Sequence, residues 1–132
     1  MILLIAAILS KDQIIEFTDL AHSLGMEVLL ELHGAEEIEK IYDKVNVVGI
    51  NNRDLTTMKI DIHQSIMMSK LLPENMIKIS ESGIETIEDI IKLKAHGYKG
   101  FLMGSKFMQH PQPDMACKEF IKQLNVQEQK LS

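Results

Sequence analysis

Cysteine is almost missing from this chain. With Cys117 alone among 132 residues, an intrachain disulfide framework is excluded, and the free thiol fits a reducing compartment, so the expected location is cytoplasmic. No base is identifiable near Cys117, which reads as a small helix-face hydrophobe and not as a nucleophile. Positive charge is also short. Fourteen Lys and Arg against nineteen Asp and Glu leave a net charge of -5, with no basic stripe to neutralise a nucleic-acid backbone; no nucleic-acid partner is expected. The five histidines show no metal-ligand spacing such as HExxH, so no metal site is expected. Long apolar runs are lacking too. Residues 2–9 could pass for a signal-peptide core, yet no basic segment precedes them and they are too short to span a bilayer, so no membrane partner is expected. They read as a strand. The fold then begins inside a strand without lead-in, and Met1 is expected not to be its natural start.

What is present is an ordinary globular balance of 45% hydrophobic and 25% charged residues, in a length suited to one domain. Apolar strand-like runs fall at residues 2–9, 26–32, 47–51, 76–80 and 101–103. Helical periodicity fills the gaps. Ser10 to Gln13 is a capping-box start, Ile14, Phe17 and Leu24 recur at helical spacing, and Gly25 stands where a C′ residue would. A short helix is expected through Glu37, Ile38 and Ile41. Asp61 and Gln64 look like another N-cap pair, with Pro73 stopping the helix that follows. Thr86 caps a helix ending at Gly97, and Asp114 opens the last one. The folded domain is expected over residues 1–124, followed by a polar tail, residues 125–132, that frays.

The resulting βαβαβαβαβα order, with units of roughly 20–30 residues, implies an all-parallel sheet covered by helices. Five such strands fit a doubly wound sheet or part of a barrel. The glycine-rich turn that a nucleotide-binding doubly wound fold shows after its first strand is absent at Leu9-Ser10-Lys11. The glycines able to approach a ligand come late, at Gly83 and Gly104. Barrels frequently form a phosphate site from the loops after strands seven and eight. If Gly83 and Gly104 mark those loops, the chain holds strands four to eight.

Chemistry-bearing residues gather at the ends of the strands. The stretch Val47-Val48-Gly49-Ile50 runs directly into Asn51, Asn52, Arg53 and Asp54. Asn51 offers a donor and an acceptor that could orient a substrate hydroxyl, and the Arg53 guanidinium suits a carboxylate or phosphate. The plain alternative is that Asp54 simply pairs with Arg53. Glu31 lies among leucines, and alternation puts Leu29, Glu31 and His33 on one face; burial there raises a carboxyl's pKa and tunes it for acid–base work. The alternative is an exposed glutamate at a strand end. Ser82-Gly83 and Gly104-Ser105 are Gly/Ser pairs directly after strands, where small residues let backbone N–H groups approach an anion. Whether Glu81 or Ser80 faces the interior is left open by alternation alone.

The segments Ile2-Leu3-Leu4-Ile5, Glu27 to His33, Gly49-Ile50-Asn51-Asn52-Arg53-Asp54-Leu55, Ser80-Glu81-Ser82-Gly83-Ile84 and Phe101-Leu102-Met103-Gly104-Ser105 together resemble the indole-3-glycerol-phosphate synthase family, in order and as far as about Leu124. The resemblance implies an α/β fold, a partial (β/α)₈ TIM barrel of five parallel strands with strands one to three absent. It also implies a lyase of tryptophan biosynthesis that works without metal or organic cofactor on a phosphorylated sugar-anthranilate substrate. Carried over by position, Glu31 resembles the family's general base, Asn51 its substrate-positioning amide, Arg53 a substrate-site neighbour and Glu81 its seventh-strand carboxylate. Ser82, Gly83, Gly104 and Ser105 resemble its phosphate cradle. The family's first strand supplies a glutamate and a lysine, and its third strand the lysine that acts as general acid. Neither Lys11 nor Lys106 replaces them by spacing, so the chain alone is expected to be nearly inactive. Two other readings compete. One is a non-catalytic half-barrel that self-associates through open sheet edges; the other is a sugar-phosphate barrel isomerase, which would not need Glu31.

Overall fold

Residues 1–131 are described by a computed structural model. Five short apolar segments form strands: β1 (Ile2–Ile5), β2 (Val28–Leu32), β3 (Val47–Asn51), β4 (Ile77–Glu81) and β5 (Gly100–Leu102). They are joined by α1 (Lys11–Ser23), α2 (His63–Ser69) and α3 (Ile87–Ala95), with α4 (Ser105–Met108) and α5 (Pro113–Leu131) after the last strand. The five strands pair in parallel and lie in chain order, β1-β2-β3-β4-β5. A doubly wound sheet reverses direction at a switch point. None occurs here, so the sheet is singly wound, as in a (β/α) barrel.

The register divides the strand residues into two populations. One face carries Leu4, Val28, Leu30, Val48 and Ile50, all buried under the helices with Ile14, Ile66 and Leu93. The other aligns Leu3, Leu29, Val47 and Ile77 in one row and Ile5, Glu31, Gly49 and Ile79 in the next. Leu3 and Ile77 in that first row are 50% and 54% exposed. This is the face a barrel turns inward.

Local signals hold where side chain and backbone agree. Ser10 Oγ accepts from the Gln13 N–H at 3.2 Å while Gln13 Oε1 accepts from the Ser10 N–H at 3.0 Å. Thr86 and Asp89 make the same reciprocal pair at the start of α3. Gly25 and Gly97 close their helices at φ 76° and 92°, the left-handed conformation a C′ residue needs.

Elsewhere the expectations need correction. The run at residues 2–9 is a strand only as far as Ile5, where its pairing with Glu31 ends; Ala6–Ile8 then coil into a 3₁₀ turn. Lys40 Nζ fastens that turn by donating to the Ala6 carbonyl at 2.7 Å. The short helix around Glu37 is likewise 3₁₀, over Ala35–Lys40. Asp61 Oδ1 does accept from the His63 N–H, at 2.9 Å, but the Gln64 amide turns away to the His33 carbonyl, at 2.8 Å. The last helix does not stop at Leu124. It continues to Leu131, where Lys94 of α3 pairs with Glu128, so residues 125–131 belong to a docked helix; Ser132 lies outside the described residues.

Candidate active site

The inward face becomes polar at the carboxyl ends of β2, β3 and β4. Glu31 is the centre of this group. Its Oε1 accepts from Asn51 Nδ2 at 3.4 Å, and its Oε2 lies 3.4 Å from His33 Nε2. Asn51 Oδ1 in turn accepts from the Arg53 N–H at 2.9 Å, which fixes the amide's orientation. Glu81 sits beside Glu31 on the same face, while Ser80 points to the helix side and bonds Asn52 and Ser65. The choice that alternation left open is therefore settled for Glu81.

Gly49 makes this carboxylate pair fit. A Cβ at that position would collide with the Glu81 carboxylate, so the glycine inside β3 is the gap that Glu81 fills. Glu81 is 2% exposed, and its Oε1 finds no hydrogen-bond partner among the described residues. Burial, with the neighbouring Glu31 carboxylate adding to it, pushes Glu81 up to about 8. Burial and the neighbouring carboxylate thus favour the neutral, protonated form of this side chain.

Arg53 follows two residues after Asn51 and does not pair with Asp54. Asp54 Oδ1 instead accepts from the N–H groups of Thr56 and Thr57 at 2.7 and 2.8 Å, bonds that hold its carboxyl below the usual range. Arg53 lines a cavity of about 320 Å³ together with Ser82, Gly83, Gly104, Ser105 and Lys106. The two Gly/Ser pairs, from loops about twenty residues apart in sequence, thus share one concavity with two cationic side chains. Ser82 and Gly83 both take left-handed backbone conformations, φ 70° and 73°. At Gly83 the Ile60 side chain also occupies the place a Cβ would need.

Two features escaped the sequence. Lys106 joins the cavity wall, with its Nζ 5.6 Å from the centre of the Phe120 ring. Asn52, 2% exposed, is the hub of a buried polar network. Alternation along β3 carried a signal for Asn52, because it places the residue on the face of Val48 and Ile50, where an amide must find partners. Among the described residues no cluster of three or more His, Cys, Asp or Glu is placed to hold a metal ion, and no helix is long and apolar enough to cross a membrane.

An in-order parallel sheet with acid, amide and small residues at the carboxyl ends of its strands defines a (β/α)-barrel type of protein with its candidate site at the customary rim. The YdjI aldolase from Escherichia coli K12 has a similar fold, with a TM-score of 0.52 at 17% identity over 81% of this chain and 44% of the aldolase. The chain belongs to the indole-3-glycerol phosphate synthase family, whose model matches residues 1–120. The indole-3-glycerol phosphate synthase of Bacteroides thetaiotaomicron is 43% identical over 121 residues, covering 92% of this chain and 46% of that protein. The protein of the same name from Prochlorococcus marinus (strain MIT 9301) is 44% identical over 125 residues, covering 89% and 42%. The chain therefore spans less than half the length of these curated relatives.

Proposed function

We propose that this rim carries part of the indole-3-glycerol phosphate synthase reaction. In that reaction 1-(2-carboxyphenylamino)-1-deoxyribulose 5-phosphate is decarboxylated, cyclised and dehydrated to indole-3-glycerol phosphate, CO₂ and water. Glu31 acts as the general base of the dehydration, oriented by Asn51. Glu81, protonated at neutral pH, is the companion acid group of the pair. Arg53 attracts the anionic substrate, and Ser82, Gly83, Gly104 and Ser105 cradle its phosphate. The observation that supports this best is the Glu31–Asn51 contact at the same strand ends as the Gly/Ser-lined cavity. An aldose–ketose isomerase would use the cavity but leaves the paired carboxylates without a task.

The family's general-acid lysine has no positional counterpart in this sequence, and a general acid typically contributes about 10²–10⁴-fold. The chain by itself is expected to turn over the ribulose phosphate negligibly, in a cytoplasmic setting or in the test tube. Mixing it with a separately expressed polypeptide carrying the first three barrel strands should restore formation of the indole product, read by its absorbance. In that mixture Glu31→Gln should abolish turnover and leave phosphate binding intact. Brisk turnover by the isolated chain would remove the argument for incompleteness; full turnover by E31Q would remove the role given to Glu31.

A further inference from the structure

Asn52 takes no part in the chemistry assigned above, yet its amide is among the most fully bonded groups of the chain. Nδ2 donates to Ser80 Oγ at 2.9 Å and to the Ser82 carbonyl at 2.9 Å. Oδ1 accepts from the Ser65 N–H at 3.0 Å and from Ser65 Oγ at 2.7 Å. Ser65 and Ser80 hydroxyls are themselves 2.7 Å apart. Since Ser65 spends its one hydroxyl hydrogen on Asn52, Ser80 is the donor of that bond. The result is a closed ring, Asn52 to Ser80 to Ser65 and back to Asn52, in which every donor and acceptor has one direction. Tyr98 braces it from behind, its hydroxyl donating to the Ser65 carbonyl at 2.6 Å. Rotating the Asn52 amide by half a turn would set its NH₂ against the Ser65 N–H, so the ring admits one orientation.

Among the described residues, the ring's side chains reach one partner outside it, the Ser82 carbonyl. Ser82 is a non-glycine residue at φ 70°, a conformation L residues avoid, followed by Gly83 at 73°. We propose that Asn52 is a positioning residue that holds Ser82 and Gly83 in the left-handed turn that opens their half of the anion cradle. This rests on the phosphate reading of the cavity given above.

The test is a titration of the ¹⁵N-labelled full chain with inorganic phosphate, following the amides of Ser82, Gly83, Gly104 and Ser105. The unsubstituted chain should shift at both loops. Asn52→Ala should weaken phosphate at least tenfold, with the Ser82 and Gly83 responses lost and those of Gly104 and Ser105 kept at higher phosphate. Adding Ser82→Gly to that variant should bring back the Gly83 response, because glycine takes the left-handed turn unaided. General destabilisation would instead weaken both loops together and would not be rescued. If N52A does not fold, Asn52→Asp serves, since its Oδ1 still accepts from both Ser65 donors while the Nδ2 donor to Ser80 and Ser82 is lost. Its charge acts on both loops, whereas the lost grip acts on Ser82 and Gly83 alone. A folded N52A or N52D that responds like the unsubstituted chain overturns the inference. Absence of any shift in the unsubstituted chain sinks the phosphate reading and this inference with it.

Discussion

At the residue scale the decisive group is Glu81. Its folded pKa, about 8, lies above the ordinary 4.5 of a glutamate. Between those values the folded chain binds more protons than the unfolded one, so stability must fall as pH rises through that window. Urea unfolding measured from pH 5 to 9 should show this decline. Glu81→Gln, which stays neutral, should flatten the curve and leave the chain more stable than the unsubstituted protein above pH 8. A parallel decline in E81Q would assign the effect to other groups. Gly49→Ala tests the same contact from the opposite side. A methyl group must displace the Glu81 carboxylate, and overpacking of this kind costs about 1–3 kcal/mol, readable as a lower urea midpoint. The candidacy of Glu31, Asn51, Arg53 and Glu81 could be read from polar residues ending apolar runs. Their mutual distances could not, because Glu31, Glu81 and the Asn51–Arg53 stretch come from three different strands.

At the scale of elements, caps decided the helices more firmly than apolar periodicity did. Ser10 and Thr86 were legible because a capping box is local: side chain and backbone are three residues apart. Thr86→Ala removes the acceptor for the Asp89 N–H and should lower stability by about 1 kcal/mol, seen as a shifted thermal or urea midpoint with α3 still formed. Element ends that depend on distant groups are not legible in the sequence. β1 stops at Ile5 because its pairing with β2 stops there. Gln64 abandons its own helix for the His33 carbonyl across thirty-one positions of sequence. The last helix runs on to Leu131 beside α3, held by an ion pair between residues thirty-four apart.

At the scale of the whole molecule, the outer edges of β1 and β5 have no strand partner among the described residues, and on the inward face Leu3, Ile77 and Leu102 are half exposed or more. Edge strands of this kind are templates for another chain, and apolar patches favour association. Light scattering over a dilution series should therefore report concentration-dependent mass. A cooperative monomer throughout would show that the open face is tolerated in water. What the sequence by itself determined was the alternation of strands and helices, the capping boxes at Ser10 and Thr86, and the residue types at each strand end, since all of these are set by neighbours within a few positions. Only the tertiary structure decided that Glu81 and not Ser80 turns inward, that Gly49 leaves room for it, and that Asn52 grips Ser82. Those outcomes depend on register between strands and on which buried polar atoms meet, and a linear pattern with a period of two constrains neither.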